Sequence, residues 1–355
     1  MGNCQPKTAE EEHIQRRNKE IERELENDKN AQLNILKILL LGAGESGKST
    51  ILKQMRLLHD TFTENEILFY KPMIFSNIVT SMATLLNGMK SLDIPFGSPS
   101  CEDHAAMVRR TIESEQDQHP ITVELGDAIA ALWADEGVQK CFEFRDRFHV
   151  HDTVKYFYED IQRLCLVDYR PTMQDVLNVR SATLGVQEVR FKYKKNEFRV
   201  FDVGGQKSQR KKWIHVFDDV NAVIFITAVS EYNQVMREDS STNRMVDSLT
   251  LFSDVCNNEF FKDTSMVLFL NKTDLFREKM QHQLSIKPAF PDYTGATEYE
   301  ECMAYIRDRF ESQNQRTTKK IYIHETCATD SDQVKLVLLS VTDIVMNQKM
   351  DQSGM

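Results

Sequence analysis

Glycine and proline are scarce in this chain of 355 residues, with 13 and 8 of each. That scarcity excludes a collagen-like repeat, long flexible linkers and a loop-rich all-β build. Seven cysteines, odd in number and scattered, are nowhere spaced C-x-x-C. Neither a disulfide framework nor a zinc cluster is expected from them. Positive charge is in deficit: 44 Lys and Arg stand against 54 Asp and Glu, a formal net charge of -10. A surface of that sign repels phosphate backbones, so nucleic acid is not an expected partner. The chain opens without the apolar stretch of a secretory signal, and no apolar run reaches membrane-spanning length. At about 150 residues per domain, the length points to two domains, and the expectation is a cytoplasmic, mostly globular protein.

The first thirty-odd residues differ from the rest. Lys7 to Asn30 is almost wholly polar, with a thin apolar trace at Ile14, Ile21 and Leu25 that fits one stripe on a helix. A solvated helix, a frayed terminus and a partner-binding arm all fit that pattern. At Asn34 the character changes: Ile35–Leu41 is a short apolar run ending in Gly42, as expected of a strand buried on both faces. Gly42 to Thr50 then reads as a loop and Ile51–Leu58 as a helix. From about Phe62 to Asn178 the apolar spacing is helical, in segments 67–92, 105–113, 121–133, 138–145 and 154–164. From Gln187 β-patterns return: a hairpin over 189–193 and 198–201, then runs at 222–228, 266–270 and 321–323, with helical patterns between. The spacing predicts an α/β sheet into which an all-helical domain is inserted. The expected division is an arm over 1–34, a sheet domain over 35–62 and 178–355, and a helical domain over 63–177.

Gly42 to Thr50 matches G-x-x-x-x-G-K-[ST], the phosphate-binding loop. Its small residues let backbone N–H groups of Glu45, Ser46, Gly47 and Thr50 wrap a phosphate, and the following helix presents its positive end. Lys48 is placed to reach the β- and γ-phosphates, and the Ser49 hydroxyl to ligate Mg²⁺. Asn271-Lys272-Thr273-Asp274 follows an apolar run directly. A carboxylate at Asp274 can accept both the N1–H and the exocyclic amine of guanine, a donor pair adenine lacks. Asn271 and the Lys272 stem would brace that loop and cover the base. Asp202-Val203-Gly204-Gly205-Gln206 follows another strand. Asp202 would hold Mg²⁺ through water, Gly205 N–H would meet a γ-phosphate, and Gln206 would orient the attacking water. Taken alone, Asn271–Asp274 is explained nearly as well by a surface turn, and Asp202–Gln206 equally well by an incidental glycine turn.

Together the three motifs resemble the alpha subunits of heterotrimeric G proteins, over nearly the whole chain. Asp202–Trp213 looks like the family's second switch, 169–180 like its linker and first switch, and Thr326-Cys327-Ala328-Thr329-Asp330 like its second guanine loop. The resemblance implies a Ras-like P-loop GTPase fold: a mostly parallel sheet flanked by helices, an inserted all-helical domain and an N-terminal helix. It implies GTP and GDP as ligands with Mg²⁺, and a GTP-hydrolysing switch. Beta-gamma subunits, a G-protein-coupled receptor and an effector are the implied partners, at the cytoplasmic face of the plasma membrane. By the same resemblance Arg180 stabilises charge on the γ-phosphate, with Gln206 and Lys48 completing the catalytic set. Thr183 would be the first-switch Mg²⁺ ligand. Asp152, Thr153 and Leu177 would touch the nucleotide from the helical side, and Ala328 would meet the guanine through its backbone.

The chain departs from the family pattern in places. Lys207 and Gln209 stand where arginine and glutamate are usual, and lysine cannot make arginine's two-pronged contact. Gly2 is offered for a myristoyl group, but Pro6 occupies the position that wants Ser or Thr. Attachment to a membrane surface is therefore expected to depend on a palmitoyl group at Cys4 more than on Gly2. Gln352 stands where one branch of the family carries a cysteine. Two other readings are a nucleotide-locked scaffold, which Arg180 and Gln206 oppose, and an ATP-using enzyme, which Asp274 opposes. Trp213 is expected to move to a drier site when a γ-phosphate orders the second switch.

Overall fold

The computed structural model describes residues 17–19, 23, 34–59, 61–316 and 318–353. The apolar trace at Ile14, Ile21 and Leu25 and the lipid sites Gly2 and Cys4 lie outside the described residues, as does the expected arm over 1–34 apart from residues 17–19, 23 and 34.

Among the described residues six strands form one sheet: β1 (Ile35–Leu41), β2 (Val186–Tyr193), β3 (Asn196–Val203), β4 (Ala222–Ala228), β5 (Ser265–Asn271) and β6 (Ile321–Thr326). Their order is β2-β3-β1-β4-β5-β6. Only the β2–β3 hairpin is antiparallel, and the other neighbours run parallel. The apolar runs explain this placement: every residue of β4 and β5 is buried, as strands covered on both faces must be. Helices of eight residues or more are α1 (Lys48–Leu58), α2 (Lys71–Ser91), α3 (Cys101–Glu113), α4 (Val123–Ala134), α5 (Glu136–Glu143), α6 (Arg244–Cys256), α7 (Thr273–Gln281), α8 (Tyr299–Glu311) and α9 (Ser331–Ser353).

Alternate residues of each strand face opposite layers. Leu39, Val223, Phe225, Leu268 and Leu270 pack with Phe252, Phe276 and Phe310 of α6, α7 and α8. Leu36, Ile38, Leu40, Ile224 and Phe269 pack with Ile51 and Met55 of α1 and with Val334, Leu338 and Val341 of α9. A third core, built around Ile74, Ile78, Met82, Ile129, Val138 and Phe157, belongs to α2–α5 and the short helices after them. Five of the segments that converge on the site leave the carboxyl ends of β1, β3, β4, β5 and β6, the edge where open α/β sheets bind ligands.

Local breaks escape the periodicity. The helix expected over 67–92 is two, Glu64–Phe69 and α2, because Pro72 has no N–H to donate and fits only in a first turn. The helix expected over 154–164 is interrupted at Asp160, whose φ of -126 and ψ of 29 leave the helical region. Strands run longer than their apolar runs: β2 starts at Val186, β3 spans Asn196–Val203, and β6 continues to Thr326.

Candidate functional site

The loop after β1 wraps a cavity of about 620 Å³ whose walls come from both sides of the molecule. Glu45, Gly47, Lys48, Ser49, Thr50, Thr183, Gly205, Gln206, Asn271, Lys272, Asp274 and Ala328 line it, as do Asp152, Thr153, Leu177 and Arg180. Ser46 and Asp202 lie just behind that wall, buried. The sequence therefore assembles one site from residues as far apart in the chain as Glu45 and Ala328. Two glycines are required by close approach. Gly47 has φ +105, and a Cβ there would lie 2.2 Å from Asn271 Nδ2. A Cβ at Gly205 would lie 2.4 Å from Lys48 Nζ.

Lys48 is buried, and its Nζ donates to the carbonyls of Gly42 at 3.1 Å and Ala43 at 2.7 Å. Burial pulls its ammonium down to about 8, against the opposing charge of Asp202. Ser49 Oγ lies 2.6 Å from Thr183 Oγ1 and donates to Asp202 Oδ2 at 2.6 Å. Thr183 Oγ1 donates to the same carboxylate oxygen at 3.1 Å. Burial raises the Asp202 carboxyl, with Lys48 opposing. The other oxygen, Asp202 Oδ1, is buried with no hydrogen-bond partner, and so is Ser46 Oγ. Among the described residues no group of three or more His, Cys, Asp or Glu could hold a metal. Two hydroxyls backed by one buried, half-satisfied carboxylate do fit Mg²⁺, a hard cation that keeps waters and completes its shell with substrate phosphates.

The Asn271–Asp274 loop is held by partners its motif does not name. Asn271 Nδ2 donates to the Ser46 carbonyl at 2.8 Å, tying the loop to the phosphate loop. Its Oδ1 accepts from Ala328 N–H at 3.0 Å and Thr326 Oγ1 at 3.2 Å. The Ala328 carbonyl accepts from Gln54 Nε2 at 2.8 Å, so both backbone groups of Ala328 have partners inside the protein. Lys272, in the left-handed region at φ +62, sends its Nζ to Asp152 Oδ2 at 2.6 Å and Glu231 Oε1 at 2.7 Å. Asp152 thus meets Lys272 across the cleft; burial pushes its carboxyl up and Lys272 more than reverses that. Asp274 is exposed at the start of α7. Thr153 Oγ1 donates to the Asn178 carbonyl at 2.6 Å, and Leu177 is buried.

Arg180 pairs with Glu45 and lies 2.8 Å from His151 Nε2 through its Nη1. The other oxygen of Glu45 accepts from both terminal nitrogens of Arg244, at 3.0 and 3.1 Å. Burial pushes the Glu45 carboxyl up, yet Arg244 and Arg180 hold it at about 2. Arg244 also meets Glu231 at 2.9 Å. His151, Glu231 and Arg244 carried no motif; their meaning comes from contacts across the fold. In the second switch Lys207 makes one contact, to Asp239 at 3.0 Å. The two-pronged grip is made by Arg210 instead, on Asp247 at 3.0 and 2.5 Å, with its Nε on the Gly205 carbonyl at 3.0 Å. Trp213 is already buried in this arrangement and donates to the Gly204 carbonyl at 2.8 Å.

A phosphate loop, an N-K-x-D loop and a D-x-x-G-Q turn on one sheet edge define a P-loop nucleotide-binding protein. The family model described as G-protein alpha subunit matches residues 15–345. Similar curated proteins include guanine nucleotide-binding protein alpha-17 subunit of Caenorhabditis elegans, 48% identical over 358 residues and 100% of both chains. Guanine nucleotide-binding protein G(o) subunit alpha of Locusta migratoria is 46% identical over 349 residues, 98% of each chain. The alpha-3 subunit of Caenorhabditis elegans is 46% identical over 356 residues, 100% of each. The chain belongs to the G-protein alpha subunits, guanine nucleotide-binding GTPases that transduce signals.

Proposed function

We propose that this cleft binds GTP with Mg²⁺, hydrolyses it, and so switches the chain between two sets of partners. The observation that carries the reading is the convergence of the phosphate loop, Arg180 and the Asn271–Asp274 loop on one cavity of about 620 Å³. In this reading residues 35–62 and 178–355 form the GTPase domain, 63–177 the inserted helical domain, and 1–34 an arm. Ser49 and Thr183 would hold Mg²⁺ directly and Asp202 through water; the ion, when bound, neutralises phosphate charge. Lys48 and the N–H groups of Glu45 to Thr50 bind phosphates. Gly205 N–H meets the γ-phosphate, and Gln206 orients the attacking water. Arg180 leaves Glu45 to stabilise the charge that develops on the transferred group, since positioning and electrostatics do most of the work in phosphoryl transfer. Asp274 reads guanine, and Asp152, Thr153, Leu177 and Ala328 close the pocket.

With GDP bound the chain would pair with beta-gamma subunits, and with GTP bound it would release them and engage an effector. A G-protein-coupled receptor would drive exchange. Among the described residues no helix is long and apolar enough to cross a membrane, and acylation at Cys4, with or without Gly2, would supply attachment to the plasma membrane's cytoplasmic face. Nucleotide competition tests the core of this. GTP should displace bound GDP and ATP should not, and Asp274→Asn should weaken GTP binding strongly. Unchanged GTP affinity in that variant would remove Asp274 as the base reader.

A further inference from the structure

Arg180 is held by residues that no nucleotide motif connects with it. Its backbone N–H donates to Asn77 Oδ1 of α2 at 2.7 Å. The carbonyls of Val176 and Val179, just before it, accept from the buried ammonium of Lys53 at 2.8 and 3.0 Å. At the side chain, Nη2 pairs with Glu45 and Nη1 lies 2.8 Å from His151 Nε2. A guanidinium is always protonated and only donates, so Nε2 is the acceptor and the imidazole is neutral, with its proton on Nδ1. Burial and the charge of Arg180 both disfavour the imidazolium. Nδ1 is itself buried and has no hydrogen-bond partner in the protein, so no competing contact turns the ring.

We propose that His151 is a positioning residue for GTP hydrolysis, which fixes the plane and reach of the Arg180 guanidinium from the helical side of the cleft. The inference rests on the reading of Arg180 as the residue that stabilises charge on the transferred phosphoryl group. The two side-chain partners of Arg180 differ in kind. Glu45 is an anion and competes with phosphate for the arginine, but Arg244 already occupies its second oxygen at 3.0 and 3.1 Å. It can therefore release Arg180 without being left unpaired. His151 is neutral and offers one lone pair, so it does not compete by charge. When Arg180 turns toward the phosphate, Nη2 leaves Glu45 while Nη1 stays on the imidazole. A guanidinium anchored at one terminal nitrogen pivots about that point instead of sampling many rotamers, and less orientational freedom is left to lose in the transition state.

The test is single-turnover GTP hydrolysis on the full chain, with GDP affinity measured in parallel. His151→Leu removes the acceptor and should slow hydrolysis about ten- to a hundredfold, the loss of one hydrogen bond to a charged group. GDP affinity should stay within about twofold. His151→Asn and His151→Gln restore an acceptor and should recover most of the rate. On an Arg180→Cys background His151→Leu should add nothing, because the residue it positions is gone. Should His151→Leu melt early, His151→Phe keeps the ring volume without an acceptor and takes its place. Unimpaired or faster hydrolysis in the acceptor-free variants overturns the proposal, as does an equal loss on the Arg180→Cys background or no recovery with Asn and Gln. If Arg180→Cys alone hydrolyses GTP normally, the assignment of Arg180 falls first. If Arg180→Cys is slow and His151→Leu is not, only the role of His151 falls.

Discussion

Arg180 and Glu45 illustrate how a single side chain is set between two demands. The guanidinium rests on a carboxylate that Arg244 also neutralises, so in the proposed reaction the shared pair would be exchanged for phosphate. Arg180→Cys should slow hydrolysis by roughly 10³ or more while changing nucleotide affinity far less, because the arginine acts chiefly on the transition state. Rapid-quench turnover beside equilibrium nucleotide binding checks this, and equal losses in both would mark a structural role. His151 also carries a pH signature. Burial, with Arg180, pulls its imidazole from 6.5 to about 4. A group lowered on folding leaves the unfolded chain with more bound protons between those values, so its contribution to stability is full above pH 6.5 and lost as pH falls toward 4. Thermal melts should therefore show wild type losing stability relative to His151→Asn across that window. A pH-independent difference would mean that the ring is not buried neutral.

At the scale of elements, the second switch is closed by arginine where the departure at Lys207 suggested weakness. Lys207 makes a single, exposed contact with Asp239, and such pairs contribute little. Arg210 grips Asp247 with both terminal nitrogens and the Gly205 carbonyl with Nε, and Trp213 seals the turn against Gly204. Intrinsic fluorescence should change when a non-hydrolysable GTP analogue and Mg²⁺ replace GDP. Trp213→Phe should abolish the change, Trp133→Phe should keep it, and Arg210→Lys should shrink it by removing the two-pronged grip. A signal that follows Trp133 would place the moving part among the helices. The strands were legible in advance because burial on both faces leaves an unbroken apolar run, as in Ala222–Ala228. The Gly42–Thr50 and Asn271–Asp274 loops stood out in the sequence because phosphate and base recognition demand fixed spacing. The break at Tyr70, the fork at Arg210 and the contacts of Glu231 and Arg244 were not. Those depend on partners far along the chain, and Arg244 meets Glu45 across 199 positions, which no local pattern encodes.

For the whole molecule, the cleft is bridged by a small number of polar contacts between the inserted helices and the sheet. Lys272 meets Asp152 at 2.6 Å, Arg145 meets Glu278 at 2.8 Å, and Asn233 meets Asp146 at 2.9 Å. On the proposed reading, these contacts stand between a bound nucleotide and solvent and would have to part for its release. Asp152→Asn should quicken GDP release about tenfold, the effect of weakening one partly buried charge pair by about 1.4 kcal/mol. Stopped-flow release of a fluorescent GDP analogue measures it, and an unchanged rate would show that the bridge does not limit escape.

The ammonium of Lys272 is shared by two carboxylates, Asp152 on the helical side and Glu231 on its own side of the cleft. Breaking a buried pair is usually costly because the abandoned charge has nowhere to go. Here it has somewhere: were the helices to swing away, Lys272 would keep Glu231, and Asp152, already partly exposed, would be taken up by water. The latch is thus built with a spare catch on one side. Parting the two halves would lose this attraction along with the Arg145–Glu278 and Asn233–Asp146 contacts, yet at this latch it would strand no buried charge.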